Sequence, residues 1–159
     1  MVLVIKEKRS RQEMIVIRYF RYWLPLVLWM SIILWMSTET FSSENTSSVI
    51  EPVIRYLMPS ISQGKVKTIH WAIRKLAHLT EYFILGILLF RAFRSGSKEM
   101  RIGRWVFYSI LFVMLYAAGD EFHQSFVSTR TASLLDVGLD TLGGILSQGV
   151  SALWFLIRQ

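Results

Sequence analysis

Two apolar runs, WVFYSILFVMLYAAG and LGGILSQGVSALWFLI, enclose a stretch from Gly119 to Asp140 that carries Asp120, Glu121, His123, Gln124, Arg130, Asp136 and Asp140. Runs of this length and apolarity belong in a bilayer, and spanning segments of this kind are helices whose backbone groups satisfy one another. Ionisable groups placed between them are costly in lipid and occur with a partner or a task. The chain therefore reads as a small membrane protein whose helices bring polar side chains together near one face of the bilayer.

Composition and charge agree with that reading. Hydrophobic residues make up 53% and aromatic residues 14% of the 159 residues, and the mean hydropathy is +0.41. The net charge of +7 would suit nucleic acid, but the basic residues are not spread as a binding surface. Lys6, Lys8, Arg9, Arg11, Arg18 and Arg21 precede the first apolar run, and Arg91, Arg94, Lys98, Arg101 and Arg104 separate the second from the third. Basic residues in alternate short loops set membrane orientation, so no nucleic-acid partner is assigned. The absence of cysteine excludes disulfides and thiolate chemistry.

In chain order, a basic segment over residues 1–18 is expected in the cytoplasm, and four helices over 19–157 form one membrane domain. The first apolar run, Trp23 to Met36, extends back to Tyr19 and lacks a small-x-small cleavage site after it, so it is an uncleaved span. Residues 38–69 read as an external polar connector. Within it Val49, Val53 and Leu57 fall at i, i+4 and i+8, which suits a short amphipathic helix on the membrane surface, limited by Pro52 and Pro59.

The second run, His70 to Phe93, carries His70, Arg74, Lys75, His78, Glu81 and Tyr82 in its first half, all within an arc of roughly 140° on a helix. Glu81 lies roughly 15 Å of helical rise from Arg91, well inside a hydrocarbon layer about 30 Å thick. On the third helix Asp120, His123 and Gln124 share a face at i, i+3 and i+4, with Glu121 at its margin. The fourth run opens with Ser133-x-x-Asp136, a capping-box-like start. Asp136, Asp140, Gly143, Gly144, Ser147 and Ser151 then form an acidic and small-residue stripe suited to close helix packing.

The two basic segments place both termini inside. That orientation brings the polar half of the second helix, the end of the third and the start of the fourth to one depth in the outer leaflet. The candidate site is thus Lys75, His78, Glu81, Tyr82, Asp120, Glu121, His123, Gln124, Arg130, Asp136 and Asp140. Arg130 reads as a clamp on the acids, able also to grip a phosphate or carboxylate. No HExxH or aspartate-loop pattern is present, so no metal is assigned, and the pattern names neither a cofactor nor a catalytic set.

The segment Ile73-Arg74-Lys75-Leu76-Ala77-His78-Leu79-Thr80-Glu81-Tyr82-Phe83-Ile84-Leu85-Gly86 is followed by Asp120-Glu121-Phe122-His123-Gln124, Arg130, Ser133 and Asp136 to Gly144. In this order the motifs resemble the VanZ-like family of bacterial membrane proteins, over roughly residues 15–157. The family pattern falls on Lys75, His78, Tyr82, Asp120, Glu121, Gln124, Arg130, Asp136, Asp140 and Gly143. Ser128-Thr129 stands where relatives often have Pro-Gly, which bears on the turn and not on the assignment. The family takes its name from a protein linked to resistance to the glycopeptide teicoplanin. The resemblance implies a multi-pass protein of the bacterial cell membrane, and no particular reaction.

Three functions compete. The first is an outward-facing pocket that binds or modifies a lipid-linked or cell-wall-related molecule and so alters antibiotic susceptibility. The second is a structural or accessory protein with a helix-locking polar network. The third, a small transporter using Glu81 and Asp140 as relays, needs polar residues continuing inward, and Phe83–Phe90 and Trp105–Ala118 offer almost none. The orientation itself is open to test in this cysteine-free chain. Cysteines introduced at Ser47 and Ser128 are expected to react with an impermeant thiol reagent in intact cells, and one at Ser97 is not. Labelling at Ser97 in sealed cells would reverse the topology.

Overall fold

A computed structural model describes residues 2–96, 101–130 and 132–158. Lys98 and Ser97, assigned above to the basic loop, lie outside the described residues. The helices are α1 (Val2–Met36), α2 (Ser43–Leu57), α3 (Gln63–Gly96), α4 (Ile102–Gln124) and α5 (Leu134–Ile157), with a single 3-10 turn at Glu39–Phe41. Among the described residues, four segments are long and apolar enough to cross a membrane: Val16–Met36, Gln63–Ser95, Ile102–Gln124 and Leu134–Ile157. An even number of crossings leaves both ends on one side.

Three boundaries differ from the sequence reading. α1 does not start near Tyr19 but runs back to Val2, because the intervening Lys, Arg, Glu and Gln are good helix formers and nothing interrupts them. α3 begins at Gln63, so residues 63–69 belong to the second spanning helix and not to the connector. Pro52 lies inside α2 rather than ending it; the helix stops at Leu57, with Met58 as its C-cap, just before Pro59. The residue ahead of a proline avoids helical geometry, so Pro59 is the effective terminator.

Helix α3 is the centre of the bundle. It packs most extensively on α5, then on α1 and α4, and α5 also packs on α4. The core at its middle is Leu26, Ile33, Tyr82, Leu85, Leu89, Ala92, Val113 and Ala117. Two donors tie α1 in at mid-depth: Trp29 Nε1 donates to the Glu81 carbonyl at 2.9 Å, and Tyr116 Oη to that of Met30 at 2.7 Å.

α5 is built inside out relative to a soluble helix. Its buried face is Asp140, Gly143, Gly144, Ser147, Gln148 and Ser151, while Leu142, Ile145, Leu146, Leu153 and Leu156 are exposed. Lipid solvates the leucines, and only small side chains let the backbones meet. A Cβ on Gly143 would strike the Leu79 carbonyl of α3, and one on Gly144 would come within 2.6 Å of Val113 Cγ1 on α4. Gly86 of α3 meets Ser147 in the same way, and Gln148 Nε2 donates to the Gly86 carbonyl at 2.9 Å.

Gly143→Ala is therefore expected to lower the melting temperature in detergent, at a cost of about 1–3 kcal/mol. Gly149→Ala, where nothing lies within 4 Å of the new Cβ, is expected to be neutral or stabilising through helix propensity. Equal thermal stability of the two variants would contradict this account of the packing.

Candidate functional site

The polar site lies where α1 ends, α3 begins, α4 ends and α5 begins. The stripe that buries α4, Trp105, Ser109, Val113 and Ala117, continues without a change of face into Asp120, Glu121 and Gln124. His123 falls off that stripe and is exposed. It thus leaves the face that sequence spacing gave it with Asp120 and Gln124, and Glu121 takes the inward place. Once the stripe is centred on Ala117 instead of on Asp120 and His123, the helical angle accounts for the change.

A chain of hydrogen bonds runs from the core to the rim. Tyr82 and Asp120, 0% and 2% exposed, meet with Tyr82 Oη donating to Asp120 Oδ2 at 3.3 Å. Gln124 Nε2 donates to the same oxygen at 3.1 Å and to Ser37 Oγ at 3.4 Å. Arg130 Nη1 reaches Gln124 Oε1 at 3.5 Å. Its other nitrogen, Nη2, donates to the carbonyls of Met36 at 2.6 Å and Thr38 at 3.1 Å.

Arg130 is thus not principally a clamp on carboxylates. It satisfies carbonyls at the C-terminal end of α1, which have no helical partner and sit at the negative end of the helix dipole. Burial lowers the Arg130 guanidinium from its ordinary value, and Arg74 adds to this, while Asp120, Glu81 and Glu121 oppose it. The group stays charged, since arginine is not deprotonated in proteins.

The start of α5 is capped by two helices. Ser133 Oγ accepts from Leu135 N at 3.2 Å. The return bond of a capping box would come from Asp136, but here Glu121 of α4 supplies it, its Oε2 accepting from Ser133 N at 2.8 Å. Asp136 is free of that duty and forms an ion pair with Lys75 of α3. One turn further, His78 Nδ1 lies 3.5 Å from Asp140 Oδ1, with Asp140 wholly buried.

A cavity of about 430 Å³ opens beside these groups, lined among others by Arg74, Lys75, His78, Gln124, Arg130 and Asp136. Arg74 is held at its edge by the Phe41 carbonyl at 2.9 Å and Thr46 Oγ1 at 3.0 Å. The structure therefore brings Lys75, His78, Gln124, Arg130 and Asp136 to one cavity, with Tyr82, Asp120, Glu121 and Asp140 packed behind it. Glu81 is half-buried, and among the described residues its side chain makes no hydrogen bond. Asp120 Oδ1, Glu121 Oε1 and both oxygens of Asp140 are buried without a protein donor, and such atoms mark where a proton, water or ligand group must be accommodated.

Sequence reasoning passed over Ser37, Thr46, Trp71 and Gln148. Trp71 had a signal: it precedes Lys75 by four residues, and Lys75 Nζ lies 5.8 Å from its ring centroid. Thr46 had none, because its contact with His70 Nε2 at 3.1 Å depends on how α2 folds back onto α3.

Residues 22–156 match the model of the family described as VanZ/LLP1. Neither a curated protein nor a solved structure matches the chain.

Arg130→Ala removes the donors of two helix-end carbonyls, whereas Asp120→Asn keeps an oxygen for Tyr82 or Gln124. The arginine variant is expected to lose about 3 kcal/mol of stability and the asparagine variant clearly less, read as melting temperatures in detergent. An Arg130→Ala protein as stable as the parent would make this side chain a solvated loop charge.

Proposed function

The chain belongs to the VanZ/LLP1 family, and from that membership and the character of the cavity we propose a multi-pass protein of the bacterial cell membrane with both termini inside. In this reading the cavity faces outward and takes an anionic lipid-linked or cell-wall-related molecule, and through it the protein alters glycopeptide susceptibility.

One observation carries the proposal. The cavity presents the permanent cations Arg74, Lys75 and Arg130 against the single carboxylate Asp136. A surplus of positive charge at the mouth, in a site partly screened from water, suits a phosphate or carboxylate head group, and guanidinium forks match both. Binding alone accounts for this arrangement. Modification of the ligand would draw on His78 beside Asp140, an imidazole–carboxylate pair of the kind used in acid–base chemistry.

The hydrogen bonds behind the cavity favour a second role for part of the same set. The side chains of Tyr82, Asp120, Gln124 and Glu121 join helices to one another and to the α5 cap, which is the helix-locking network of the accessory reading. The two roles overlap at Arg74 and Arg130, which line the cavity and also donate to the carbonyls of Phe41, Met36 and Thr38. Cations at the mouth meet a ligand, and acids behind them hold the helices.

Full-length protein in lipid nanodiscs, offered a polyprenyl phosphate or the matching polyprenol, separates the readings. The phosphate is expected to bind and the alcohol to be rejected. Lys75→Gln is expected to weaken the phosphate about tenfold or more, the worth of one charge-assisted contact, and to abolish any glycopeptide phenotype of the parent. Equal retention of phosphate and alcohol would leave only the helix-locking role.

A further inference from the structure

A second cavity, larger than the one above, is at the opposite end of the bundle. It has a volume of about 790 Å³ and lies between α1, α3, α4 and α5. Its inner wall is apolar, with Ile87, Phe90 and Val150 forming the part nearest the middle of the bundle. Its mouth carries Arg18 of α1 with Arg91 and Arg94 of α3. α1 and α3 run antiparallel, so Arg18 near the start of one span and Arg91 and Arg94 near the end of the other reach the same depth.

The mouth is held in shape by aromatic rings. The Arg91 guanidinium lies 5.8 Å from the Tyr22 ring centroid, leaning toward α1. That of Arg94 lies 5.1 Å from the Phe155 ring, leaning toward α5. The two cations thus flank the opening instead of crossing it. A guanidinium stacked on a ring keeps its edge donors for an anion. Among the described residues no carboxylate lines this cavity, and none of its arginines donates a hydrogen bond to another side chain or carbonyl.

We propose that this groove is a binding site for an anionic phospholipid of the surrounding membrane. The phosphate of the head group sits among Arg18, Arg91 and Arg94, and an acyl chain runs inward along Ile87, Phe90 and Val150. The charge selects the occupant: a neutral or zwitterionic lipid would fill the same apolar wall but bring no net negative charge to the three arginines. Arg101 and Arg104, at the start of α4, belong to the same end of the bundle and are not among the residues lining the groove. They supply a control for general surface attraction.

The test is native mass spectrometry of the full-length protein taken from detergent micelles with equimolar phosphatidylglycerol and phosphatidylcholine. One phosphatidylglycerol is expected to stay bound, favoured about tenfold over phosphatidylcholine, as several juxtamembrane arginines acting on one anion would give. The double variant Arg91→Gln/Arg94→Gln is expected to lose that preference, and Arg101→Gln/Arg104→Gln to keep it. Equal retention of the two lipids by the parent protein overturns the proposal without any variant. Loss of preference in the Arg101/Arg104 variant as large as in the groove variant overturns it too, by reducing the effect to diffuse surface charge.

Discussion

The close approach of α5 to α3 and α4 is the contact on which the rest of the molecule depends. Lipid offers leucine no reason to leave it, so helices here associate through what fits between their backbones. Gly143 against the Leu79 carbonyl and Gly144 against Val113 bring three helices near enough for short polar side chains to reach one another. Asp140 can lie beside His78, and Glu121 can reach the first turn of α5, only because no bulk separates the helices. A polar site in a bilayer is in this sense a product of glycine.

The site divides by depth into two electrostatic layers. Cations stand at the mouth, where partial contact with water reduces the cost of their charge, and carboxylates stand behind them, bonded to tyrosine, glutamine and backbone donors. Buried carboxylates stripped of partners would be costly in such surroundings. Asp120 and Glu121 are structural links of this kind, whereas both oxygens of Asp140 lack a protein donor.

Much of this was legible in the sequence, for identifiable reasons. Span number, the polar arc of α3 and the small-residue stripe of α5 follow from helical angle and hydropathy, which lipid enforces strictly. Placement of Arg130 did not follow. Its partners are backbone carbonyls of Met36 and Thr38, which every residue possesses and no side-chain pattern advertises. His123 was misplaced because three polar residues at i, i+3 and i+4 look like a face, whereas the apolar stripe leading to them defines the true inward side. The capping of α5 by Glu121 rather than Asp136 likewise depends on where α4 ends in space.

The sequence separation of the ties has a temporal side. The α4–α5 hairpin closes on itself through Glu121 and Ser133, only 12 residues apart. The tethers of α1 come from far downstream: Tyr116 reaches back 86 residues to Met30, and Arg130 reaches back 94 to Met36. In a chain made from its N-terminus, α1 is the first helix to enter the bilayer; its tie to α3 through Trp29 is available early, and those at Met30 and Met36 wait for α4 and the turn after it. Until the turn after α4 has been synthesised, its terminal carbonyls lack the arginine that holds them. A chain that stops before residue 130 leaves α1 without its arginine tether.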